Sequence, residues 1–126
     1  RAQSAEKERQ AMKKVLLCAF NGEVMCFVHV LLNALDFAER GYETAVVVEG
    51  SAVKAVVELA SPAHSLHGLY ADVKKAGLIH GVCRACSVKF GVVDGVEKEG
   101  LKLLADMRGH ASLARYVDQG FDVITF

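Results

Sequence analysis

Apolar residues are distributed in two alternating patterns along the chain: short unbroken runs, and stretches where they recur every three or four positions. The runs suit strands buried on both faces, and the wider spacing suits helices with one apolar side. Lys14 to Phe20 contains Val-Leu-Leu-Cys-Ala-Phe and is bounded by Asn21-Gly22, which predicts a first strand. Glu23 to Arg40 places Val24, Phe27, Val28, Leu31, Leu32, Leu35 and Ala38 at helical spacing, and Gly41 stops it. Thr44 to Val48 predicts a second strand, ended by Glu49-Gly50. A short helix follows over Val53 to Leu59, then a loop, Ser61-Pro62-Ala63-His64-Ser65, holding the only proline. Leu66 to Ala76 reads as a helix closed by Gly77, and Leu78 to Val82 as a third strand. Beyond Cys83-Arg84-Ala85-Cys86, Gly91 to Gly95 reads as a turn. Glu97 to Met107 reads as a helix with Leu101, Leu104 and Met107 on one face, and Ala111 to Asp118 as another, stopped by Gly120. Phe121 to Phe126 is a last strand.

Strands alternating with helices predict an α/β domain with a parallel sheet covered on both faces. Residues 1–12 read as a polar tail or helix extension and residues 13–126 as a single domain, since a chain of 126 residues is long enough for one real core. In such sheets the working loops lie at the carboxyl ends of the strands. Three segments are therefore expected on one edge: Asn21 to Cys26, Glu49 to Ser51, and Cys83 to Cys86.

Composition narrows the partners. Fifteen basic and fifteen acidic residues cancel, so there is no electrostatic case for nucleic acid or an anionic membrane. No run reaches the roughly 18 apolar residues that suggest a membrane span. Hydrophobic residues make up 52 %, high for a short soluble chain, which predicts surface buried against other copies of itself. The four cysteines do not resemble a disulfide-dense secreted scaffold and point to a reducing, cytoplasmic setting.

Cys83-Arg84-Ala85-Cys86 is the strongest candidate for chemistry. Cys83 ends an apolar strand, where backbone N–H groups and the dipole of a following helical turn favour thiolate over thiol. Arg84 and Lys89 can add positive charge nearby. Cys86, three residues on, suits a resolving thiol that attacks a mixed disulfide or persulfide on Cys83. The pair can also form half of a zinc site, completed by Cys26 or His64, although no second Cys-x-x-Cys is present. Cys26 opens at the same edge but sits among Met25, Phe27 and Val28, and Cys18 lies mid-strand as packing. His64 and His67 flank a loop, and His29 and His80 read as structural. Phe20-Asn21-Gly22-Glu23 is a poor phosphate cradle, having one glycine and an acidic residue.

The order of these motifs resembles the DsrE/DsrF-like family of small sulfur-relay proteins, including its YchN-like branch. The first strand ends in Asn21-Gly22 and enters a long helix. A strand ends at Cys83 with Gly91 beyond it, the loop takes the Cys-x-x-Cys form, and a helix and turn lead to Asp122-Val123-Ile124-Thr125-Phe126. The resemblance implies a three-layer α/β/α sandwich with a mostly parallel sheet of about five strands. The family's fourth strand has no obvious counterpart in the pattern, Leu101–Leu104 and Arg108–Ala111 being the two segments that could hide it. The resemblance further implies homotrimers or homohexamers, and a sulfur donor or acceptor protein as partner. The persulfide would be carried on Cys83, with Cys86 as its partner thiol. Arg84 and Lys89 would stabilise the anion, with Asn21, Gly22, Cys26 and His64 as accessory positions. No cofactor and no resident metal are expected. The rival readings are a non-enzymatic oligomeric, regulatory or redox-sensing protein, and a metal-binding module.

Overall fold

The structure, a computed structural model, describes residues 13–126; the expected tail at residues 1–12 lies outside the described residues. Among the described residues there are five strands: β1 (Lys14–Ala19), β2 (Glu43–Val48), β3 (Ile79–Cys83), β4 (Leu103–Leu104) and β5 (Phe121–Thr125). They form one sheet in the order β4-β3-β2-β1-β5, and every pairing is parallel. Six helices connect them: α1 (Val24–Glu39), α2 (Val53–Ala60), α3 (His67–Lys75), α4 (Arg84–Lys89), α5 (Val93–Lys98) and α6 (Ala114–Asp118). A 3-10 turn over Gly50–Ala52 leads into α2. No helix among the described residues is long and apolar enough to cross a membrane.

Period-2 alternation along the strands sorts the core into two layers. Leu17, Val46, Val48 and Val82 face one way, against Phe27, Val30 and Leu31 of α1, Val56 and Leu59 of α2, and Tyr70 and Val73 of α3. Leu16, Ala45, Val47 and Cys83 face the other way, against Leu104, Ala111, Leu113 and Tyr116. The second layer is thinner, consisting of α6 and the segment leading to it. Both faces are covered, as the apolar runs require. Cys83 thus points away from the main helical layer, towards the segment that follows β4.

Two expected elements differ. The turn over Gly91 to Gly95 is replaced by the start of α5 at Val93. Gly95 sits inside that helix, where an added Cβ would lie 2.9 Å from Val57 Cγ2, so close helix packing rather than a turn explains this glycine. The helix expected over Glu97 to Met107 ends at Lys98, and Leu103–Leu104 pairs with β3 instead. Gly100, at φ +73, breaks the helical path. Leu104 sits at a helical spacing from Leu101, but its burial comes from packing over β3. Backbone pairing and that burial together override local spacing. The last helix also begins later, at Ala114 rather than Ala111.

β3 carries a bulge, because Val46 pairs with Ile79 and Val47 with Gly81, leaving His80 extra. Gly81 is required by close approach: a Cβ there would lie 2.5 Å from Leu104 Cγ. Gly81→Val is expected to destabilise the chain by about 1–3 kcal/mol through overpacking. Urea unfolding monitored by circular dichroism checks this, and an unchanged midpoint would contradict the close β3–β4 packing.

Candidate functional site

The site lies at the carboxyl edge of the sheet, where the turns after β1, β2, β3 and β4 meet. Cys83 is the last residue of β3 and the cap of α4, and it is completely buried. The Ser87 hydroxyl donates to the Cys83 carbonyl at 2.8 Å, fixing the first turn of α4 on the strand end. That turn carries Cys86 to the same side, half-buried, and both cysteines are free thiols. Cys83 Sγ lies 3.3 Å from His110 Nδ1, and Cys86 Sγ 3.7 Å from the same atom.

His110 is held by a tight turn. Met107 and His110 exchange both backbone hydrogen bonds, each 2.9 Å. Arg108 and Gly109 between them have φ +50 and +89, the pattern of a type I′ turn. The Ala85 N–H donates to the Gly109 carbonyl at 2.9 Å, tying this turn to the start of α4. On the other side, Asp106 accepts from the Ser112 N–H and pairs with Arg115 at 3.0 Å. Arg115 and the Ser112 N–H hold the Asp106 carboxyl below its usual range. The backbone that carries His110 is therefore fixed on both flanks, and its ring lies against the two thiols.

Beside Cys86 and His110 a cavity of about 350 Å³ opens, lined also by Phe20, Gly50, Ser51, Lys89 and Phe90. Burial chiefly, and then hydrogen bonding with Cys83, pushes the Cys86 thiol above its ordinary range; the Gly50 backbone N–H pulls it the other way. Gly50 adopts φ +55, and a Cβ there would come 2.8 Å from the Phe20 carbonyl, so only glycine brings this N–H so close to the β1 end. Deeper along the same edge, the Cys18 thiol donates to Glu49 Oε2 at 2.9 Å. Burial first, and then Glu49, drives the Cys18 thiol far above its normal range, so it stays a protonated structural group. Glu49 and Cys18 line a second cavity of about 570 Å³ with Asn21 and Phe126.

The three segments expected on one edge do meet there. Gly22 N–H donates to Ser51 Oγ at 2.8 Å, joining the turns after β1 and β2. Lys89 reaches the Cys86 cavity, whereas Arg84 is exposed and does not line it. Asn21 faces the second cavity. Among the described residues, the Cys/His cluster whose ligand atoms lie within 4.8 Å of one another is Cys83, Cys86 and His110. Cys26, in the first turn of α1, and His64 stand outside it. His64 instead accepts from the Leu66 N–H and faces Glu58 in the α2–α3 loop. The third side chain beside the cysteine pair is thus His110, and neither Cys26 nor His64 lies with it. The residue pattern does not mark His110, because Leu101 and Leu104 stand at helical spacing and the loop after the strand they conceal is then not assigned to the carboxyl edge. The Arg108-Gly109 turn was its one visible signal.

The DsrE/DsrF-like family pattern matches residues 3–126. The chain belongs to the DsrE/DsrF-like family. An uncharacterized protein of Methanocaldococcus jannaschii is 37 % identical over 97 residues, spanning 77 % of each chain. A short uncharacterized protein of Archaeoglobus fulgidus is 42 % identical over 36 residues, 29 % of this chain and 97 % of that one. A conserved protein of unknown function from Bacteroides thetaiotaomicron superposes with a TM-score of 0.71 at 18 % identity, covering 93 % of this chain and 97 % of that one. That similarity concerns the fold alone.

Proposed function

We propose that this DsrE/DsrF-like chain is a sulfur carrier that stores sulfane sulfur as a persulfide on Cys83. Cys86 is the thiol through which the sulfur enters and leaves. The observation that supports this best is the convergence of a buried and a half-buried thiol on one imidazole nitrogen. Membership of a family with sulfur-relay members points the same way.

The chemistry balances without a net redox change. Cys86 thiolate attacks the outer sulfur of a donor R–S–SH, the donor S–S bond breaks, and R–S⁻ departs with its electron pair. Cys83 thiolate then takes the same outer sulfur from Cys86–S–SH and releases Cys86 as thiolate. An acceptor thiolate reverses the sequence. His110 Nδ1 is placed to take a proton from either thiol and to return it to the leaving thiolate. Lys89 and the Gly50 N–H offset negative charge at Cys86, and Arg84 adds positive charge next to Cys83 in sequence. Burial keeps the stored sulfur away from solvent thiols. Attack of Cys86 on the inner sulfur would instead expel HS⁻ and leave a Cys83–Cys86 disulfide, which a dithiol reductant must reset.

The partners in this reading are a sulfur donor, a sulfur acceptor and further copies of the chain. Phe20, Met25 and Val88 are 58 %, 65 % and 59 % exposed, apolar surface that suits a homotrimer or homohexamer in the cytoplasm. Cys86→Ser is expected to load many times more slowly from a sulfane-sulfur donor, yet to reach the same endpoint of one sulfur on Cys83. Intact-mass spectrometry over time checks this. Loading at the unmodified rate would remove Cys86 from the path.

A further inference from the structure

Cys83, Cys86 and His110 present two sulfurs and one ring nitrogen to a common point. In a tetrahedral zinc centre with Zn–S of about 2.3 Å and Zn–N of about 2.0–2.1 Å, a sulfur and a nitrogen ligand stand about 3.6 Å apart. The observed separations, 3.3 Å and 3.7 Å, straddle that value. The donor set, two thiolates and an imidazole, is of the borderline-soft kind that zinc takes.

The surroundings also fit a divalent cation. Two thiolates neutralise its charge, and buried Glu49 adds negative charge close enough to be felt at Cys86. Lys89 is the basic group at the cavity, and it is exposed. The ligands are preorganised: the Cys83 carbonyl is held by Ser87, and the turn bearing His110 is pinned to α4 through Ala85. Three protein ligands with a cavity on the fourth side match an open zinc site, in which a solvent water completes the tetrahedron.

The geometry points to a mononuclear Zn²⁺ site formed by Cys83, Cys86 and His110, whose occupancy excludes sulfur from Cys83. On binding, both thiols coordinate as thiolates and their two protons pass to solvent; no electron moves. Zinc then holds the lone pairs that sulfane sulfur needs. The metal site stands on its own geometry, while the exclusion rests on the sulfur-carrier reading.

The reduced full chain, incubated with zinc chloride and desalted, is expected to retain one zinc per chain by elemental analysis. Cobalt substitution should give a sulfur-to-cobalt charge-transfer band and tetrahedral ligand-field bands. His110→Ala and Cys86→Ser, both outside the fully buried layer, should each weaken zinc binding by more than about 100-fold, the upper end of the cost of losing an outer-shell partner. His29→Ala should bind as the parent does. Zinc-loaded protein should refuse sulfane sulfur until a chelator is added. Absence of retained zinc, or retention unaltered in His110→Ala and Cys86→Ser, overturns the site and leaves the sulfur reading standing. Zinc retention with undiminished sulfur loading overturns the exclusion alone. Failure of metal-free protein to load sulfur overturns the carrier reading, and with it the exclusion.

Discussion

Cys83→Ser is expected to fold and to retain no sulfane sulfur after desalting. The substitution keeps the shape of a fully buried side chain and keeps a polar hydrogen for His110 Nδ1. Burying a hydroxyl without a partner costs on the order of 1–3 kcal/mol by mutational data, and here His110 Nδ1 offers the partner that lowers this cost. That is tolerable against the roughly 5–15 kcal/mol of a typical domain. Sulfur can still reach Cys86, but there it faces the cavity and exchanges with solvent thiols. Circular dichroism and intact-mass spectrometry are the checks. A folded Cys83→Ser protein that keeps one sulfur through desalting would place the store elsewhere.

His110→Ala is expected to slow loading by about 100-fold or more at neutral pH, within the usual range for loss of a positioned acid–base group. The backbone pairing between Met107 and His110 does not involve the ring, so the turn and the fold should persist. The effect carries a pH signature. Raising the pH supplies hydroxide to take the thiol proton, so the gap between variant and parent should narrow. A purely structural role for His110 would leave the gap constant. A variant that loads at the parent rate at neutral pH would contradict the assignment of His110 as proton carrier.

Much of this site is visible in the order of residues, and the part that is not has a physical reason. The apolar runs at Lys14–Ala19 and Glu43–Val48 are buried on both faces, so each reads as a central strand without further help. Cys83 is legible because it ends such a run and a helical turn follows. β4 is only two residues long and carries no strand pattern of its own, Leu101 and Leu104 standing at helical spacing; its strand character comes from pairing with β3 and from Leu104 packing over Gly81. Missing it hides the loop that carries His110. Accessibility is likewise a tertiary property. Sequence places Cys83 at an open edge, but the His110 turn and α4 close over it and leave Cys86 facing the cavity. In the proposed carrier this exposure makes Cys86 the entry thiol rather than only a resolving one.

The most direct test maps the sulfur in the unaltered chain. Reduced protein is incubated with a polysulfide donor, desalted, alkylated and cleaved with trypsin, which cuts after Arg84 and so separates Cys83 from Cys86. The expected result is one additional sulfur on the peptide ending Val82-Cys83-Arg84, released by a thiol reductant. Sulfur found only on Ala85-Cys86-Ser87-Val88-Lys89, or on neither peptide, would contradict a persulfide store at Cys83.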